Sequence, residues 1–161
     1  MEILKGKSIE DALSKEYRQY LAGRLKKEQP FLKHIDDDIE IGISNYVTFT
    51  ADKPHMHTQC TEHNYVLRGK MKVKLLDGSC EEYEFSEGDL FVLRPGTPYA
   101  AKNEAGTRVL FIKSPGINDK TEVAVDVAAF VGVMHIPLKN VRPLPSTSPL
   151  RIVAKYDTIN P

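Results

Sequence analysis

The residues of this chain best suited to chemistry are crowded together: His55, His57 and His63, three of its five histidines, fall within nine positions, and Glu62 lies among them. In His55-Met56-His57 the imidazoles are two residues apart, so on a strand both point to the same side of the sheet. Residues 58–61 then form a connection long enough to turn the chain, so that Glu62 on the next antiparallel strand faces the same pocket. Two imidazoles and one carboxylate suit a divalent Zn, Fe, Mn, Ni or Co ion, and with vacant positions they are the ligand set of non-haem iron sites. His63, next to Glu62, points to the opposite face. Asn64 shares the side of Glu62 and is a pocket candidate. Cys60 lies between the ligands, but no activating base accompanies it, and it reads as an ordinary packed or solvent-facing thiol.

These groups need a scaffold of strands. From Ile39 the hydrophobic period is two: Ile39, Ile41, Ile43, Val47 and Phe49 alternate with more polar neighbours, which predicts a long strand. Tyr46 and Thr48 lie on its alternate face, and Tyr46 is a candidate for lining a pocket. Further strands are expected at residues 64–67, 71–76, 81–85, 90–93, 99–103 and 109–113, separated by Arg68-Gly69-Lys70, Asp77-Gly78-Ser79, Ser86-Glu87-Gly88, Pro95-Gly96-Thr97-Pro98 and Ala105-Gly106. Short strands at such regular spacing, with turn residues between them, indicate an antiparallel sandwich or barrel. Asp77-Gly78 makes residues 71–85 the clearest hairpin. Ahead of the strands, Ile9, Leu13, Tyr17, Tyr20, Leu21 and Leu25 recur at helical spacing, and Ser8 with Asp11 resembles a capping box, so residues 8–27 are read as an amphipathic helix.

His55, His57, Glu62 and Gly69 match, at every spacing, the first motif of the cupin superfamily: two histidines, a glutamate and a closing glycine. Gly88-Asp89, then Pro95-Gly96-Thr97-Pro98 and Asn103, resembles its second motif, with Arg94 where the family has a proline. The resemblance covers residues 45–113. It implies an all-β fold, an antiparallel double-stranded β-helix or jelly-roll barrel, with a metal in its mouth held by the two histidines, the glutamate and one further histidine. That last position is Tyr99 here. Three roles are open to it: ligation as a phenolate, a hydrogen bond to substrate or metal-bound water, or filling space. His55, His57 and Glu62 are thus the expected metal ligands, and Tyr99, Asn64 and Tyr46 the expected substrate-facing residues.

The domain plan that follows is an N-terminal helical segment over residues 1–38, the barrel over 39–116, and a C-terminal extension over 117–161 that packs on the barrel or on a partner subunit. Within the extension, residues 121–136 fit either a strand or a helix, residues 137–149 read as an extended linker, and residues 150–156 as a last strand. Twenty-two Lys and Arg balance twenty-two Asp and Glu across 161 residues, which removes the positive field that nucleic-acid or anionic-membrane binding requires. Charges interrupt residues 1–7 before a signal peptide could form, and no apolar run reaches the ~18 residues of a membrane span, so a cytoplasmic protein is expected. Arg94 and Arg108 could meet an acidic substrate, but their place near turns favours solvated charges. The resemblance implies a homodimer, with residues 123–136 contributing. Function then lies between two readings. One is a metal-dependent enzyme acting on a small polar, sugar-derived molecule, as an isomerase, epimerase or dioxygenase. The other is a non-catalytic small-ligand-binding module with a degraded metal site.

Overall fold

Alternation of inward and outward side chains governs this chain from residue 40 to residue 114. A computed structural model describes residues 3–25, 29, 36, 38–79, 81–117 and 119–124. A short helix, α1 (Gly6–Leu13), is followed by β1 (Arg18–Ala22), β2 (Glu40–Tyr46), β3 (Thr50–Ala51), β4 (His55–His57), β5 (Thr61–Arg68) and β6 (Lys70–Leu75). Then come β7 (Glu82–Ser86), β8 (Leu90–Leu93), β9 (Tyr99–Asn103), β10 (Thr107–Ser114) and β11 (Lys120–Glu122). The strands form two antiparallel sheets, β1-β2-β10-β5-β8 and β11-β4-β9-β6-β7, with β3 added on β9. This is an antiparallel barrel, as the strand pattern predicts, with the jelly-roll architecture that the resemblance implies. Between the sheets, Val66, Met71, Val73, Leu93, Ala101 and Val109 pack into one apolar core, which forms the floor of an open cup. Each fully buried valine there contributes about 1.5–3 kcal/mol relative to an exposed one.

The turns fall where glycine allows them. Met71 pairs with Phe85 and Lys74 with Glu82, so the hairpin of β6 and β7 forms in the expected register. Gly69, between β5 and β6, has φ +82°, and a Cβ there would meet the Thr107 backbone at 2.7 Å. Glycine at that place is therefore required both by the dihedral and by the close passage of β10.

Two expectations are corrected. The helix ends at Leu13, and Ser8 lies inside it; Lys5 is the N-cap and makes no side-chain capping bond. Residues 18–22 form β1 instead, because they find an open edge: Arg18, Gln19 and Tyr20 pair with Ser44, Ile43 and Gly42 of β2. The second correction concerns β2. Its buried positions are Glu40, Gly42, Ser44 and Tyr46, while Ile41 and Ile43 are only half-buried and Val47 and Phe49 lie exposed. The inward face of this strand carries the Glu40–Lys113 ion pair and the cavity-lining Ser44, and only Tyr46 reaches the core, so the apolar parity points outward. Residues 125–161, with all but the first four residues of the segment assigned to strand or helix, the linker, the last strand and most of the dimer segment, lie outside the described residues, as does Cys80.

Candidate metal centre

β4 carries His55 and His57 with one residue between them, and both rings turn inward. β5 lies on the other sheet and turns Glu62, Asn64 and Val66 inward. β9 supplies Tyr99, paired with His55 across the ladder. All of these side chains except Val66 line one cavity, together with Tyr46, and none of them is more than 8% exposed. The space between the walls, open mouth included, is about 540 Å³. His55, His57, Glu62, Tyr99, Asn64 and Tyr46, all singled out from the sequence, are thus brought together.

Hydrogen bonding sets the histidine tautomers. His57 Nδ1 lies 2.7 Å from Asp119 Oδ1, and an ionised carboxylate only accepts, so Nδ1 carries the proton. His55 Nδ1 donates to the Lys53 carbonyl at 2.7 Å. Each ring therefore keeps Nε2 as its lone-pair atom. His57 Nε2 lies 3.3 Å from Glu62 Oε2. Two ligands each ~2.0–2.1 Å from a tetrahedral ion lie ~3.3 Å apart, so the spacing of His57 and Glu62 fits a metal; His55 stands further off, its ring centre 5.8 Å from that of His57. Outward bonds to a carboxylate and a carbonyl are what metal-ligating imidazoles need to hold their orientation.

Charge around the site is strongly coupled. Burial, with the positive charge of Lys120 beside it, lowers His55 to about 3, which keeps the ring neutral. Burial alone would push the Glu62 carboxyl up, but the adjoining His57 and the positive charge of Lys113 outweigh it and hold Glu62 well below the usual carboxylate range. Tyr99 donates its hydroxyl to Glu62 Oε2 at 3.0 Å. Burial and that carboxylate raise the phenol well above its ordinary value, so it stays protonated. Lys113 is tied to the buried Glu40 at 2.7 Å.

The family model described as a cupin domain matches residues 47–113. The chain carries a cupin domain. No curated protein sequence matches the chain. Among solved structures it is similar to KdgF from Halomonas sp., at 23% identity and TM-score 0.50, over 63% of this chain and 80% of that one. It is also similar to a protein of Bacillus halodurans at 11% identity and TM-score 0.53, over 73% of this chain and 84% of that one. These likenesses are of fold.

Around the cupin motif lies a second group that the sequence reading did not anticipate. His57, Cys60 and Asp119 place ligand-type atoms within 4.8 Å of one another. Asp119 Oδ2 accepts from the Gln59 and Cys60 amides at 2.6 and 3.1 Å, and Oδ1 accepts from His57 and from the Cys60 thiol at 3.1 Å. Burial and the neighbouring Asp119 push the Cys60 thiol far up, so it remains a protonated donor. A metal on this side would have to break these bonds, whereas one at Nε2 leaves them intact, and the group reads as the support that orients His57. Asp119 lies beyond the cupin domain, just before β11, and nothing in its sequence surroundings marks it. Lys113 was legible, being inward by parity with Val109 and Phe111 on β10. Arg18 also lines the cavity, from a segment read as helix. Arg94 and Arg108 do not: Arg94 is exposed and Arg108 grips Glu10 at 2.6 and 3.1 Å.

Proposed function

We propose that the chain is a metal-binding cupin acting on a small polar metabolite, with a divalent cation held by Nε2 of His55, Nε2 of His57 and the Glu62 carboxylate. The observation that carries this reading is the pair of outward Nδ1 bonds, to Lys53 and Asp119, which leaves two lone pairs beside one buried carboxylate. A cation there supplies Lewis-acid polarisation of a carbonyl or hydroxyl or, as iron, oxygen activation. The protein's own groups do the rest. Asn64 and Tyr46 bind and orient the ligand, the Tyr99 hydroxyl, its proton on Glu62, offers the ligand an acceptor oxygen, and the apolar floor limits water. Sugar-derived substrates, for isomerisation or epimerisation, fit such a polar wall.

One observation favours a second reading. The Tyr99 hydroxyl occupies Glu62 Oε2, the same atom that faces His57, as it would in a binding module whose metal site has degraded. Elemental analysis of protein purified without chelator separates the two: near-stoichiometric metal, lost in His57→Ala and Glu62→Gln variants that keep the β-sheet circular-dichroism signal, is expected. Metal-free wild type, or metal retained in both variants, overturns the first reading. The assembly is proposed to be a homodimer, supported by Tyr65, Leu67, Leu90 and Val92, which lie exposed on the adjacent strands β5 and β8.

A further inference from the structure

Two cationic side chains of the cup, Arg18 and Lys120, lie outside the expected ligand set. Arg18 reaches it from β1, outside the cupin domain, paired with Ser44 across the ladder. Its Nε donates to Ser44 Oγ at 2.9 Å and Nη2 to the Tyr46 hydroxyl at 3.4 Å. The guanidinium carbon lies 5.4 Å from the centre of the Phe111 ring and 5.5 Å from that of Tyr17. These contacts fix the plane of the group without neutralising it, since no carboxylate among the described residues lies within ion-pair distance of Arg18. A guanidinium presents five N–H donors in a rigid fork, of which two are spent here on hydroxyls. The edge bearing Nη1 and the second Nη2 hydrogen is left over, and two parallel N–H groups match the two oxygens of a carboxylate.

Lys120, on β11 at the other wall, likewise has no ion-pair partner among the described residues. Of the three cationic side chains that line the cavity, Lys113 is already paired with Glu40, which leaves Arg18 and Lys120 facing Asp52 and Glu62. A divalent ion held by Glu62 would tip that balance to positive. A neutral ligand would cover the half-buried guanidinium without adding a counter-charge, which is costly; an anion offsets that cost.

We propose that the ligand of this site is a small organic acid whose carboxylate is received by the Arg18 fork, with Lys120 beside it, while its other end faces His55, His57 and Glu62. Only the role of that other end rests on the metal reading; the carboxylate grip is independent of it.

The test is calorimetric titration at neutral pH with malonate, succinate and glutarate, with the diamide of each, and with inorganic phosphate. At least one diacid is expected to bind about ten-fold or more tightly than its diamide and than phosphate, as a charge-assisted bidentate pair requires. Arg18→Gln is expected to lose that preference and Arg18→Lys to keep part of it, both with the metal content of the wild type. Diamides or phosphate binding as well as every diacid, or an Arg18→Gln variant that binds diacids unchanged, overturns the proposal. If Arg18→Gln does not fold, the wild-type comparison of diacid with diamide and the Arg18→Lys variant still decide. Metal-free wild type with an Arg18-dependent diacid preference would sink the metal reading and leave this one standing. Stoichiometric metal with no diacid preference would do the reverse.

Discussion

The Tyr99 hydroxyl donates to the glutamate of the metal group, and its burial keeps it a donor. A protonated phenol is a poor metal ligand, but with its proton on Glu62 its oxygen is free to accept from a ligand's hydroxyl. Tyr99→Phe is therefore expected to leave metal content unchanged and to weaken ligand binding, whereas Tyr99→His adds a third imidazole and should raise divalent-metal affinity. Metal lost from Tyr99→Phe would show that the phenolate ligates. Asp119 acts through His57. Asparagine at that position exchanges one acceptor oxygen for an amide, so the Nδ1–H···O bond weakens and the imidazole loses its fixed aim. The expected cost is about 10–100-fold in zinc affinity, read by competition with a chromogenic chelator. An unchanged affinity would show that Asp119 serves only the loop at Cys60.

At the scale of elements, legibility followed the agreement between local pattern and tertiary need. The strands from β5 to β10 were readable because glycine turns and alternating side chains set both their ends and their faces. His55, His57 and Glu62 were readable for the same reason: spacing on a strand dictates direction. β1 was not, since Tyr17, Tyr20 and Leu21 satisfy a helical stripe as well as a strand, and the open edge of β2 settled the matter. β2 misled in parity because Ser44 and Tyr46 face a polar cavity and Glu40 turns inward to pair with Lys113, and the apolar-inward rule holds only where the inside is a purely apolar core. One consequence is testable. In the middle of β2, a Cβ on Gly42 would collide with the Phe111 ring, the same ring that supports the Arg18 guanidinium and meets Tyr20 edge-on at 5.3 Å. Gly42→Ala is expected to lower stability by about 1–3 kcal/mol in urea titration and to weaken diacid binding with metal content retained. An unchanged midpoint and unchanged diacid binding would show that Phe111 yields freely.

For the molecule as a whole, charge and surface point to self-association. Positive and negative side chains balance, so no long-range repulsion opposes the approach of two copies. No helix among the described residues is long and apolar enough to cross a membrane. Leu90 is 61% exposed and pairs with Tyr65, itself 40% exposed, on the outer face of the first sheet. Sedimentation at micromolar concentration is expected to give a dimer, and a Leu90→Glu, Val92→Glu double variant to give a monomer with the β-sheet signal retained; a monomeric wild type would remove the proposed assembly. The origin of each group in the cup has a further consequence. β4 and β5, which carry the two histidines and the glutamate, are flanked by strands on both sides, whereas β1 and β11, which carry Arg18 and Lys120, are each the outermost strand of a sheet among the described residues. An outermost strand is held by a single ladder of hydrogen bonds, so its sequence can change without unzipping its neighbours. On the proposed reading, what the cup selects is thereby separable from how it would grip an ion, and new specificities would be reached by rewriting two border ribbons while the frame of the proposed ligands stays as it is.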